Sequence, residues 1–277
     1  MKIKASILIL TSVIFGCNLS NQKSDFKTEN EKKSSTIEVK KIEVEKVPDV
    51  VVKCDCKQQD YIRNYSTDLV FRNSGHYKAV NDSLFEKWSQ DSLFKLVESI
   101  RFVRYDTIPE KFSKFIEVNR VSIENRNGIY GLDYFPKLKT VHFFGSKISL
   151  KTNEKWVGKI EALYAQKSKF RGLSSFKNVP NLRVLYFAFS GFDNFPTDIN
   201  ELRCLKEITL GSYVGELDLS RLDFTKNYCL RKIEMLTWGN NFIGIPITNS
   251  RIKRLKINHP NLTKEEKSVL KNHNKTK

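Results

Sequence analysis

Five cysteines and four histidines are the side chains of this chain best suited to chemistry, and their positions restrict what that chemistry is. His76, His142, His259 and His273 lie far apart in sequence. His142 and His259 fall five units apart in the repeat described below, so they do not share a metal. No His-Glu-x-x-His, Gly-x-Ser-x-Gly or glycine-rich phosphate loop occurs. Carboxylates are plentiful, but none are paired in a pattern that suggests acid–base work. The sequence therefore assigns no catalytic residue, no metal site and no cofactor. Cys54 and Cys56, one residue apart, point to opposite sides of an extended chain and do not bridge each other easily. Free or differently paired thiols are the expectation there.

Cys17 has a different setting. Lys2 and Lys4 give a positive start, residues 7–15 are mostly apolar, and Ile14-Phe15-Gly16-Cys17 follows. The apolar run is too short to span a bilayer as a mature helix and reads as a secretory signal. The tetrapeptide resembles a bacterial lipobox, with Phe15 bulkier than the usual residue. That resemblance implies cleavage after residues 1–16 and lipid attachment at Cys17. The implied location is the bacterial cell envelope, periplasmic or surface-exposed. An ordinary signal peptide that happens to contain Cys is the alternative.

The elements that would position the other side chains show in a spacing: apolar, two residues, apolar, one residue, apolar. It occurs eight times, at Val97-x-x-Ile100-x-Phe102, Val118-x-x-Val121-x-Ile123, Leu138-x-x-Val141-x-Phe143, Ile160-x-x-Leu163-x-Ala165, Leu182-x-x-Leu185-x-Phe187, Leu205-x-x-Ile208-x-Leu210, Leu230-x-x-Ile233-x-Met235 and Ile252-x-x-Leu255-x-Ile257. The starts are 20 to 25 residues apart, a period that signals a solenoid of stacked units. The last two apolar positions point the same way from a strand, and one unit cannot bury that face alone. The return halves step by three, as in Ile129-x-x-Leu132-x-x-Phe135-x-x-Leu138, which suits short 3₁₀ turns.

Over residues 97–262 the pattern resembles the leucine-rich repeat family, L-x-x-L-x-L-x-x-N-x-L. The resemblance implies an α/β-type solenoid, a right-handed horseshoe or arc of about eight repeats with parallel strands on its concave side. The family's Asn position instead reads Tyr105, Arg126, Ser146, Ser168, Ser190, Tyr213, Trp238 and Pro260. Three adjacent serines predict a hydroxyl ladder in place of the usual amide one.

Residues 17–50, with seven Lys and seven Asp or Glu in 18–50 and few aromatics, read as a disordered tether. Residues 51–96 precede the repeat and read as an N-terminal cap, with helical turns starting at Asp82 and Asp91. Thr263-x-x-Glu266 is a capping box that opens a short closing helix in 263–277. The net charge is +17. Residues 251–277 hold nine Lys or Arg against two Glu, a patch able to attract an anionic glycan or lipid. Solubility is the plainer use of that charge. Nucleic acid is not expected, because no motif for it is present.

Outward strand positions form columns on the concave side. Repeats three to five bring His142, Phe144, Tyr164, Tyr186 and Phe189 near one another, and these are the predicted partner-binding residues. The tyrosines are expected to be exposed; for Phe144 and Phe189 the alternative is packing into the strand-end loops. Cys204 and Cys229 each stand one residue before a repeat's first apolar position, where the other repeats carry mostly polar residues. Both are expected to be exposed, about one strand spacing apart, and to form a disulfide between repeats six and seven; two unpaired thiols are the alternative. The expected function is non-catalytic recognition of another protein by an exported, lipid-anchored repeat protein. A glycan- or anionic-surface-binding adhesin, and an enzyme without recognisable motif, are the alternatives.

Overall fold

The computed structural model describes residues 69–73, 78–89, 93–124, 130–149, 154–212, 214–237, 242–248 and 251–275. All of them fall in one unit, residues 51–277. Cys17, the tether, Cys54, Cys56 and Asp91 lie outside the described residues.

Nine parallel strands form one sheet in strict chain order: β1 (Leu69–Arg72), β2 (Ser99–Val103), β3 (Arg120–Glu124), β4 (Thr140–Phe144), β5 (Ala162–Gln166), β6 (Val184–Ala188), β7 (Glu207–Gly211), β8 (Lys232–Leu236) and β9 (Arg254–Asn258). The register keeps the repeat in phase throughout. Ile100, Val121, Val141, Leu163, Leu185, Ile208, Ile233 and Leu255 are paired in sequence across eight strands, and the row from Phe102 to Ile257 is paired likewise. Both rows are buried. The apolar spacing therefore does what it predicts: it aims two residues per unit at a shared core.

The sheet begins one strand earlier than the repeat pattern. Leu69 and Phe71 of β1 pair with Ile100 and Phe102, so the segment read as a cap contributes a strand of its own. The missed signal is the single step Leu69-x-Phe71, which is separated from the next strand by a helix. That helix, α1 (Lys78–Ser89), corrects the expected start at Asp82, which lies inside it and reaches Lys111 at 3.4 Å instead. Asn81 on α1 covers the edge of β1: its Oδ1 accepts from the Arg72 N–H at 3.1 Å and its Nδ2 donates to the Arg72 carbonyl at 2.6 Å. One side chain thus stands in for a further strand.

Return halves contain single 3₁₀ turns at Glu110–Lys114, Leu132–Tyr134, Phe176–Asn178, Ile199–Glu201 and Leu219–Arg221, as the three-residue steps predict. Each turn buries an apolar residue beneath the sheet, Phe112, Leu132, Phe176, Ile199 and Leu219 in order. The core is rich in phenylalanine. Where the inward row carries small Ala165, Phe170 fills the space, 5.4 Å from the Phe143 ring and 5.1 Å from the Phe187 ring. Asn227, fully buried, donates to the carbonyls of Ile199 and Leu202 at 3.0 and 2.8 Å and ties two return halves together.

At the far end the capping box forms as expected. The Glu266 N–H donates to Thr263 Oγ1 at 3.1 Å, and Glu266 Oε2 accepts from the Thr263 N–H at 2.8 Å. It opens α2 (Lys264–Lys275), which packs beside β9 with Leu270 turned inward. The chain is a solenoid of leucine-rich-repeat type with a short C-terminal helix. Among the described residues, no helix is long and apolar enough to cross a membrane.

Candidate binding face

The outward face of the sheet is built from the residues between the inward rows. Strand pairing sets Arg101, Ser122, His142, Tyr164, Tyr186, Thr209, Glu234 and Lys256 in one column. Val103, Glu124, Phe144, Gln166, Ala188, Gly211, Leu236 and Asn258 form the next. The face is aromatic in the middle and charged towards both ends.

His142, Tyr164 and Tyr186 on β4, β5 and β6 make a continuous ridge. The His142 and Tyr164 rings meet edge to face at 6.2 Å, and the Tyr164 and Tyr186 centroids are 5.9 Å apart. Ala162 and Val184, in the row before, complete a small apolar cluster with Tyr164, and Tyr186 packs against it. This arrangement corrects one expectation. Tyr164 is only 7% exposed and His142 8%: Tyr164 is covered by His142 on one side and Tyr186 on the other, and His142 packs against Tyr164. Tyr186 and Phe144 are half-buried. Ala162 and Val184 escape a reading confined to aromatic columns, although both stand at alternating strand positions two residues before the tyrosines.

Phe189 behaves differently. It follows β6, is 61% exposed, and holds a left-handed backbone with φ of 51°. Its N–H donates to the Gly211 carbonyl at 2.8 Å. The same step recurs at Arg104, Gly145, Lys167 and Ser212, all at positive φ, each N–H bonding the last carbonyl of the following strand. A row of left-handed residues thus runs along the strand ends. Glycine fits such a backbone at least cost, and a bulky aromatic is a rare occupant. The fold needs the conformation but not the ring. Lys167 of the same row lies over Phe144 at 6.0 Å.

The predicted serine ladder holds this edge of the face. The Ser146 N–H donates to Ser168 Oγ at 3.1 Å, and the Ser168 N–H to Ser190 Oγ at 2.9 Å. Each hydroxyl donates in turn to the carbonyl two residues back, at Phe144, Gln166 and Ala188. The side chain is shorter than Asn, and the hydroxyl's ability to accept and donate at once makes up the reach. Tyr213, Trp238 and Arg126 of the same position lie outside the described residues.

Cys204 and Cys229 are both disulfide-bonded. They stand three residues before Glu207 and Lys232, which pair across β7 and β8, so register sets them at matching heights. Neither has the open exposure expected: Cys204 is half-buried, and Cys229 is 5% exposed. Among the described residues, no group of three or more His, Cys, Asp or Glu is placed to hold a metal ion.

No protein-family model matches the chain, and no curated protein matches it. Among solved structures it is similar to an internalin from Listeria monocytogenes, with 12% identity, a TM-score of 0.44, and coverage of 65% of this chain and 53% of that one. It is also similar to the leucine-rich-repeat ectodomain of the plant membrane receptor kinase GASSHO1/SCHENGEN3 from Arabidopsis thaliana, solved in complex with Casparian strip integrity factor 2. There the identity is 13%, the TM-score 0.36, and the coverage 61% of this chain and 27% of that one. The chain thus spans about half the length of the first and about a quarter of the second. By its own period, register and strand-end ladder, the fold is that of a leucine-rich repeat solenoid.

Proposed function

We propose that this chain is a non-catalytic recognition scaffold, exported and anchored by lipid on Cys17, that binds another protein through the sheet face over β4 to β6. One observation carries the reading. Phe189 exposes a large aromatic ring from a backbone conformation in which glycine would be the cheaper residue. The ring contributes little to the core, so its presence is explained by contact with something else. Half-buried Tyr186 and Phe144, backed by the buried rings of His142 and Tyr164, supply an already ordered apolar surface. Little side-chain freedom is then lost when a partner docks.

Crosslinking in intact cells, followed by mass spectrometry, tests the reading with parent and Phe189→Gly side by side. The expected result is a cross-linked protein with the parent and about tenfold or more weaker capture with the variant, as loss of a central aromatic anchor gives. Equal capture of the same protein by both would overturn the assignment of this face. A second reading rests on the basic end, where Lys253, Arg254 and Lys256 are exposed on and beside β9. Binding that collapses as salt rises would favour an anionic glycan or lipid over a protein partner.

A further inference from the structure

Beside the aromatic ridge the sheet face dips. On β3 the outward residue is Ser122, paired between Arg101 on β2 and His142 on β4. A short side chain between two long ones leaves a hollow, and Glu124, Phe144 and Gln166 of the next column wall it. The cavity measures about 250 Å³. At its floor Ser122 is 3% exposed, and its Oγ has no hydrogen-bond partner. Buried hydroxyls are nearly always bonded, and one left unsatisfied weakens a fold. Alanine would pack in the same place without that penalty. A small outward turn of the Ser122 side chain would carry its hydroxyl within reach of a ligand atom in the hollow and restore the missing bond.

We propose that this hollow receives a single tyrosine side chain of the protein partner, with its phenolic hydroxyl on Ser122 Oγ. The proposal rests on the reading of the face as a protein-binding surface. Size comes first: the cavity falls below the ~300–1,000 Å³ of pockets that hold a whole small molecule, so it fits one side chain. Charge comes second. Arg101 and Glu124 both line it, so a carboxylate or an ammonium would gain from one and be opposed by the other, and a neutral head group is preferred. Shape comes third: Phe144 presents a ring to one wall, against which a second ring packs well. A phenol also both donates and accepts, which a lone serine hydroxyl can answer in either sense.

The test needs no partner. Backbone resonances of the full chain are followed while N-acetyltyrosine amide, N-acetylphenylalanine amide or methyl glucopyranoside is added at millimolar concentration. The tyrosine probe should shift Ser122 and Ile123, with the phenylalanine probe about threefold or more weaker for lack of the hydroxyl. Ser122→Ala should bring the two probes to equal affinity while its melting temperature stays at or above that of the parent. Ser122→Leu, which fills the hollow, should remove both responses. Equal binding of the two amino-acid probes by the parent, or no response to any probe, overturns the proposal. A response to the glucoside alone also overturns it and makes the hollow a sugar site. Failure here leaves the Phe189 crosslinking result standing, so the two readings fail separately.

Discussion

At the scale of single residues, burial separates side chains that share a column. Tyr164 lies between His142 and Tyr186 and packs on Ala162 and Val184, whereas Tyr186 has smaller Thr209 as its other neighbour. Tyr164→Ala is therefore expected to destabilise the fold by about 1–2 kcal/mol, through lost apolar burial outside the main core. Tyr186→Ala should cost less than half of that. Denaturant unfolding of both variants checks the order, and a larger loss for Tyr186 would show that the ridge is supported from the other side. Phe189→Gly should leave stability within about 1 kcal/mol of the parent, since relief of the left-handed backbone offsets the greater freedom of glycine when unfolded. A thermal melt reads this directly, and a marked drop would mean that the exposed ring is structural. The identity of the outward columns was legible in the sequence because strand alternation is strict. How far neighbours cover one another was not, because that depends on side-chain size across strands 20 residues or more apart. The hollow at Ser122 was missed for the same reason: a serine in a column is unremarkable until it lies between arginine and histidine.

At the scale of elements, the turns after β4, β5 and β6 depend on one hydroxyl each. Ser168→Ala removes the acceptor of the Ser146 N–H and leaves a buried donor unpaired. The expected loss is about 1–3 kcal/mol. Ser113, exposed on a return turn, is a suitable control for the same substitution. Equilibrium unfolding compares the two, and equal effects would show that the ladder contributes nothing. The ladder itself was foreseeable from three serines in register, and so were the 3₁₀ turns. β1 was not, because a helix interrupts the period before it. The disulfide expectation belongs at this scale too. Register brings Cys204 and Cys229 to matching heights on adjacent units. Unreduced peptide mapping should find the two joined to each other. Reduction should then lower stability by about 2–4 kcal/mol by lengthening the free chain of the unfolded state. Free alkylatable thiols at both positions in protein from its native compartment would sink this pairing.

At the scale of the whole molecule, the described strands stack in chain order, and each end of the described sheet is covered: by the Asn81 side chain against β1, and by the helix α2 beside β9. The proposed lipid anchor is tested at Cys17. Cys17→Ala should release a soluble or unprocessed protein from the membrane fraction, read by fractionation together with labelled fatty-acid uptake by the parent. A parent that takes up no label, with a variant that fractionates as the parent does, would dispose of the anchor. The row of left-handed residues at the strand ends has one further consequence. Arginine, glycine, lysine, phenylalanine and serine all occupy the same backbone step, so main-chain bonding holds the step even where a side chain makes it more costly than glycine would. Such positions form a margin that can be rewritten one letter at a time: a lineage of related chains would be free to change what it grips along this edge while the scaffold beneath keeps its shape.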